Sequence, residues 1–253
     1  MKNLNHVRAA ADIVTNVLLE LKELTVPDVS LDLLDELAER RIREAGGEPY
    51  NKGYKPDWSE IPYPSTICAS VDFEVCHAPP GSRVLKEGQV VKYDLGVRYK
   101  DGCGDAALTV AVGKIDNRRE RAMRYGLNAL YEGIKVVRAG IPISSIGNAI
   151  QRYAGLRGYE VVKEFTGHHI GQKMHEDPKI PHVYQPEYDK ILLKEGDVIC
   201  IEPIITPGNG FVKLFKGDGW TFYSPDREPS VMFEHMVLVT VDGCEILTHH
   251  VVV

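Results

Sequence analysis

Five cysteines occur among 253 residues, and no two of them form a Cys-x-x-Cys pair. That pattern argues against a disulfide framework and against a Cys-rich zinc site, and it favours a reducing compartment, so a cytoplasmic location is expected. No apolar run approaches the length of a membrane span. The opening residues, MKNLNHVRAAADIV, lack the pattern of a signal peptide. Lys and Arg number 30 against 36 acids, for a formal net charge of −6, and they nowhere form a long basic run. A nucleic-acid partner and a membrane partner are therefore not expected. Linkers of Gly/Ser composition are absent too, so residues 1–253 are read as one domain.

What the chain does contain is a repeat. Residues Leu85–Asp94 read LKEGQVVKYD and residues Leu193–Glu202 read LKEGDVICIE, 108 positions apart. Each copy runs from Lys-Glu-Gly through an apolar strand to a carboxylate, Asp94 in one and Glu202 in the other. A repeat at this spacing suggests a duplicated unit rather than a solenoid. A buried acid is costly unless paired or coordinated to a metal. A surface-facing strand position explains one such acid more readily than two in the same register.

Around the repeat, helix and strand signals alternate in two rounds. Val7, Ala10, Val14, Val17, Leu18 and Leu21 fall at helical spacing, and Thr25–Asp28 interrupts them. Ser30 caps a second expected helix, ending at Gly46-Gly47. Residues 48–64 are irregular and rich in Tyr, Pro and Gly, and a strand over 65–75 leads to Cys76-His77. Strands at 89–97 and 106–112 form a hairpin with Asp101-Gly102 as its turn signal. Asp116 caps a third helix reaching about Ala139, and Ser144 opens a fourth that fades at Gly155. Pro142-Ile143-Ser144-Ser145 is read as the echo of Pro27-Asp28-Val29-Ser30. A short strand at 159–163, a Pro-rich loop over 177–188 and strands at 197–205, 231–239 and 244–248 complete the chain. The expected class is α+β, with pseudo-symmetric halves of roughly 1–113 and 114–253.

Four acids and one histidine stand out by position: Asp94 and Asp105 on the two arms of the hairpin, Glu202 at the end of the repeat strand, Glu234 interrupting an apolar strand, and His168 between Gly167 and Gly171. The glycines there permit close approach of backbone to a ligand. Four converging carboxylates need about four positive charges to offset their repulsion, which two divalent ions supply. Oxygen-rich ligation with one imidazole suits Mn, Fe, Co or Zn. Two such ions can activate water and polarise a carbonyl, which is hydrolytic chemistry. A simple turn at Asp101-Gly102 would place Asp105 opposite Arg98, so a bulge or wider loop through Gly102–Gly104 is expected to bring it to Asp94. His77 and His175 are further candidates. His169, His182, His235, His249 and His250 are read as structural or surface residues. Tyr63, Met174 and Trp220 could line an apolar pocket, although such residues more often belong to a core.

Taken together and in order, these residues resemble the methionine aminopeptidases of the short bacterial type, over nearly the whole chain. The resemblance rests on Tyr63-Pro64 through Cys76-His77, on Asp94 and Asp105, on Gly167-His168 to His175-Glu176, on Ile201-Glu202-Pro203 and on Phe233-Glu234-His235. It implies the pita-bread fold with a dinuclear metal site between its halves. Asp94, Asp105, His168, Glu202 and Glu234 would be the ligands of two divalent metal ions, Co, Mn, Fe or Zn. Glu202 would also handle the proton of the attacking water. His77 would contact the substrate near the scissile peptide, and His175 would hydrogen-bond its carbonyl. Tyr63, Cys68, Met174 and Trp220 would line the methionine side-chain pocket. The implied substrates are nascent polypeptide N-termini at the ribosome, and the implied state is a monomer.

Five departures from the family pattern bear on substrate preference and rate. Asp72-Phe73 replaces an Asn-Glu, His169 a Gly, Gly96 a Thr that supports the attacking water, Met174 a Phe, and Ala106 a Thr. Two other readings share the fold. An Xaa-Pro peptidase of the prolidase kind would carry an Arg-x-Glu-Asp near the last ligand, where this chain has Phe233-Glu234-His235. A non-catalytic peptide-binding module would have lost ligands, and all five positions are intact here.

Overall fold

The structure is a computed structural model and describes residues 3–248. Its first half contains α1 (Leu4–Leu24), α2 (Leu31–Glu44), β1 (Glu48–Pro49), β2 (Cys68–Val71), β3 (Glu74–Cys76), β4 (Val90–Tyr99) and β5 (Gly102–Ala111). The second contains α3 (Asn117–Lys135), α4 (Ser144–Gly155), β6 (Glu160–Val161), β7 (Gly167–His169) and β8 (Glu176–Ile180). It continues with β9 (Val198–Ile201), β10 (Ile204–Thr206), β11 (Lys213–Leu214), β12 (Phe222–Tyr223), β13 (Val231–Met232), β14 (His235–Val239) and β15 (Cys244–Ile246). All strand pairs are antiparallel. One sheet runs β1-β4-β2, with β5 also on β4, and another runs β15-β14-β9-β7-β8. Helices α1 and α2 bury Val14, Leu18, Leu21, Leu34 and Ile42, and α3 and α4 bury Leu130, Ile134, Ile146 and Ile150. These apolar stripes join the inward residues of β4, β5 and β9 in one core that draws on both halves.

The duplication is visible in backbone hydrogen bonds. In the first half Asp28 N–H donates to Leu85 O, Leu85 N–H to Val29 O and Leu31 N–H to Arg83 O. In the second Gly140 N–H donates to Leu193 O, Leu193 N–H to Ile141 O and Ile143 N–H to Ile191 O. Beyond the repeated Lys-Glu-Gly turn, Gly88 and Val112 are joined as Gly196 and Val239 are. Asp28 thus matches Gly140, and Ser30 matches Pro142, which shifts the expected alignment of the two prolines. Asp28 and Gly140 both have left-handed backbones, with φ of 68° and 82°. Backbone geometry, not the identity of the proline, is what the halves share.

Several boundaries differ from expectation. The hairpin turns at Lys100-Asp101, with Tyr99 opposite Gly102 and no bulge. Asp105 therefore faces Gly96 and Asp94 faces Ala107. The two acids are diagonal neighbours on one face, because residues two apart along a strand share a face. The expected loop over 177–188 begins as strand, with Ile180 and Lys179 paired to Gly167 and His168. Helix α3 stops at Lys135, and the following turn delivers Gly140 to Leu193. The strands expected at 197–205 and 231–239 are each broken, into β9 and β10 and into β13 and β14. The breaks fall at Glu202-Pro203 and Phe233-Glu234.

Candidate metal centre and substrate pocket

Those two breaks place Glu202 and Glu234 where a strand leaves one sheet for another. Glu234 N–H donates to Ala107 O at 2.9 Å, so its carboxylate is fixed against the strand that carries Asp105. Glu202 N–H donates to Nε2 of His182 at 3.1 Å, and Gly167 N–H donates to the same nitrogen at 3.2 Å. His182, read from sequence as structural, thus ties the segments bearing His168 and Glu202 together. Accepting two N–H groups requires a neutral ring, and burial lowers its pKa to about 3. Gly167 serves strand approach rather than a ligand: a β-carbon there would lie 2.1 Å from Cys200 O on β9.

His168 donates from Nδ1 to the His169 carbonyl at 3.0 Å. Its Nε2 lone pair is therefore turned toward Glu202 Oε1 at 3.5 Å and Asp105 Oδ2 at 3.6 Å. Ligand atoms of Asp105, His168, Cys200 and Glu234 all lie within 4.8 Å of one another. Asp94 and Glu202 open into the same cavity. Burial drives the carboxyls of Asp94, Glu202 and Glu234 well above the usual carboxylate range, and repulsion from neighbouring acids adds to it. Burial also pushes Asp105 to about 7. Glu234 Oε1 is buried without a hydrogen-bond partner. A buried oxygen left unpaired among acids is an arrangement that a cation satisfies. The donor set of hard oxygens and one imidazole fits divalent ions. Burial and the surrounding acids, Glu234 first, raise the Cys200 thiol, so it stays protonated beside Glu234 and is a poor ligand.

The cavity measures about 310 Å³, and every residue expected at the site lines it. Tyr63, Cys68 and Trp220 form a small aromatic cluster apart from the main core. Tyr63 donates to Ile67 O at 3.0 Å and is also 3.1 Å from Ala78 O, while Trp220 stands edge-on to Tyr63 at 4.9 Å. Met174 is buried beside Gly96: a β-carbon at Gly96 would lie 2.5 Å from its Cε. His175 sits 4.6 Å from the His168 ring, and its Nδ1 is 3.4 Å from Tyr54 Oη. His77 has a left-handed backbone, φ 56°, a strained conformation that clusters at functional sites. Burial lowers His77 to about 4 and His175 to about 3, so both rings are neutral at physiological pH.

His169 turns away, with Nδ1 2.7 Å from Pro178 O and Nε2 3.4 Å from Asp197. His235 also points elsewhere, toward Thr248 and Tyr131. His249 and His250 lie outside the described residues. Sequence reasoning missed Tyr50, Asn51, Tyr54, Trp58, Phe165 and Lys179 on the cavity wall. The first four come from the irregular stretch before Pro64, where no periodicity assigns a face. Its density of Tyr and Trp was the available signal. All five cysteines are free, and among the described residues no helix is long and apolar enough to cross a membrane.

An α+β framework that converges buried acids and the acid-facing Nε2 of His168 on a pocket of this size defines a metal-dependent hydrolase. The chain belongs to metallopeptidase family M24, whose sequence profile matches residues 5–241. It is 37% identical over 247 residues to methionine aminopeptidase 1 of Bacillus subtilis, covering 98% of this chain and 96% of that protein. The methionine aminopeptidase of Buchnera aphidicola is 42% identical over 188 residues, 74% of this chain and 70% of that one. The crystal structure of methionine aminopeptidase from Rickettsia prowazekii superposes with a TM-score of 0.91 at 33% identity, covering 98% of this chain and 100% of that one. Prolidase from Pyrococcus furiosus shares the fold, with a TM-score of 0.75 at 20% identity over 63% of its own length. The fold is thus the pita-bread fold, and members of the family use divalent metal.

Proposed function

We propose that this protein removes the N-terminal methionine from peptides and nascent proteins, with Asp94, Asp105, His168, Glu202 and Glu234 holding two divalent ions, Co, Mn, Fe or Zn. The observation that carries the reading is the convergence of these groups, from distant parts of the chain, on one cavity containing an unpaired carboxylate oxygen. The ions, when bound, supply an activated water and polarise the scissile carbonyl. Glu202 takes the proton of the attacking water. His175, neutral and beside His168, donates a hydrogen bond to the carbonyl oxygen as negative charge develops on it. His77 contacts the substrate next to the scissile peptide. Tyr63, Cys68, Met174 and Trp220 hold the methionine side chain, and their closed apolar walls exclude water from it.

In the same reading residues 1–253 are one catalytic unit, with halves of roughly 1–113 and 114–253. The protein works as a cytoplasmic monomer on chains emerging from the ribosome. Reconstituted with Co or Mn, it is expected to release methionine from Met-Ala-Ser, and a chelator is expected to stop the reaction. Cleavage of Xaa-Pro peptides alone would overturn the proposal in favour of the prolidase alternative. His175→Ala is expected to remove most turnover with metal content unchanged; loss of metal would show that its role is ligation.

A further inference from the structure

Beyond the closed methionine pocket, the cavity opens past a second aromatic surface. Trp58 lines the cavity yet is 48% exposed, unlike Tyr63 and Trp220, which are 3% exposed. Its indole lies nearly parallel to the His77 ring, with centroids 6.0 Å apart and planes 17° apart. Trp220 braces it edge-on at 5.0 Å and Phe222 at 5.5 Å. The loop that carries it is tied at its base: Tyr63 N–H donates to Tyr54 O at 2.8 Å and Gly53 N–H to Tyr63 O at 2.8 Å. Inside the loop the buried Ser59 donates from its hydroxyl to Ile61 O at 2.8 Å and from its N–H to Pro56 O at 3.1 Å. Held in this way, the indole is positioned before any ligand arrives, which lowers the entropic cost of using it. A braced aromatic face left half in water at a cavity mouth gains by being covered.

We propose that Trp58 forms an aromatic subsite for the peptide segment that follows the scissile bond, and that it favours apolar or aromatic side chains there. The inference rests on the aminopeptidase reading above. With the methionine side chain against the Tyr63–Trp220 pair, and His77 beside the scissile peptide, the chain after that bond leaves the cavity by its open side. Trp58 stands on that side, stacked on His77. A side chain that packs on this braced ring face is recognised by apolar area and ring stacking.

The test compares Met-Ala-Phe and Met-Ala-Leu with Met-Ala-Ser and Met-Ala-Asp on the metal-loaded wild type, Trp58→Ala and Trp58→Phe. The wild type is expected to prefer the Phe and Leu peptides through a lower KM. In Trp58→Ala that preference is expected to fall about tenfold, in KM rather than kcat, and Trp58→Phe is expected to restore most of it. An unchanged preference in Trp58→Ala, or an equal loss on all four peptides, would overturn the subsite. Should the wild type release methionine from none of them, the aminopeptidase reading fails separately. Calorimetric binding of Met-Ala-Phe and Met-Ala-Ser to wild type and Trp58→Ala then still decides the subsite: a Phe preference lost in the variant supports it, and equal affinities overturn it.

Discussion

Gly96 and Met174 show how single side chains shape this site as a pair. Gly96 lies opposite Asp105 on the hairpin, and any β-carbon there would meet Met174 Cε at 2.5 Å and Asn51 Oδ1 at 3.0 Å. Met174 therefore fills the space that a side chain at 96 would take. The unbranched, flexible thioether suits such a gap. Gly96→Ala alone is expected to cost about 1–3 kcal/mol by overpacking. Met174→Ala should relieve the clash, so the double variant is expected to be more stable than the sum of the single effects. Urea unfolding of the four proteins measures the coupling, and additivity would mean that the two residues do not compete for space.

Among elements, β4 does the most, since it bears Asp94 on one face and reaches the second half by another side chain. Lys92 is fully buried, and its ammonium donates to Asp72 O at 2.9 Å and Ser230 O at 3.0 Å. Thr109, its partner on β5, donates to Met232 O and accepts from Met232 N–H. The two side chains join the β4–β5 hairpin to the segment leading to Glu234. Asp72 O also accepts the Ser230 N–H at 3.1 Å, so Lys92→Met would strip the ammonium chiefly from the buried Ser230 O, and a loss of about 2 kcal/mol is expected in urea unfolding. A neutral result would mean that water or a backbone shift replaces the ammonium. Element boundaries near the site were the least legible part of the sequence. Apolar residues continue on both sides of Glu202 and Glu234; Pro203 marks a break beside the first, but nothing local marks the break at Phe233-Glu234 or shows that another sheet begins at either. The two-residue turn at Lys100-Asp101 was likewise hidden behind the stronger Asp-Gly signal beside it.

At the scale of the molecule, acids from the two halves face one another, with Asp94 and Asp105 from the first and Glu202 and Glu234 from the second. Burial raises their pKa values in the folded protein above those of the unfolded chain. Folding of the metal-free protein therefore takes up protons. The stability these acids allow is fully present below about pH 4 and declines as pH rises through about 7. Divalent ions should reverse the trend, because they replace those protons with a charge that does not titrate. Calorimetry at pH 6 in buffers of different ionisation enthalpy is expected to show protons released as Mn or Co binds. Thermal unfolding at neutral pH is expected to shift upward with added ion, by about 2.7 kcal/mol of stability at a hundredfold excess over Kd. Binding without proton release would mean that the acids are already ionised.

The sequence by itself determined the class of the fold, the duplication and the identity of the converging acids, because each leaves a local mark. Helical and strand periods follow from backbone geometry, and a carboxylate inside an apolar strand is conspicuous wherever it lies. Tertiary structure alone decided that Asp105 meets Asp94 diagonally, that His182 carries the backbone of Glu202, and that Trp58 faces the cavity while His169 turns to Asp197. Those outcomes depend on which surfaces of distant segments meet when the two halves close over a shared core, and no pattern along one segment encodes the face that its partner will present.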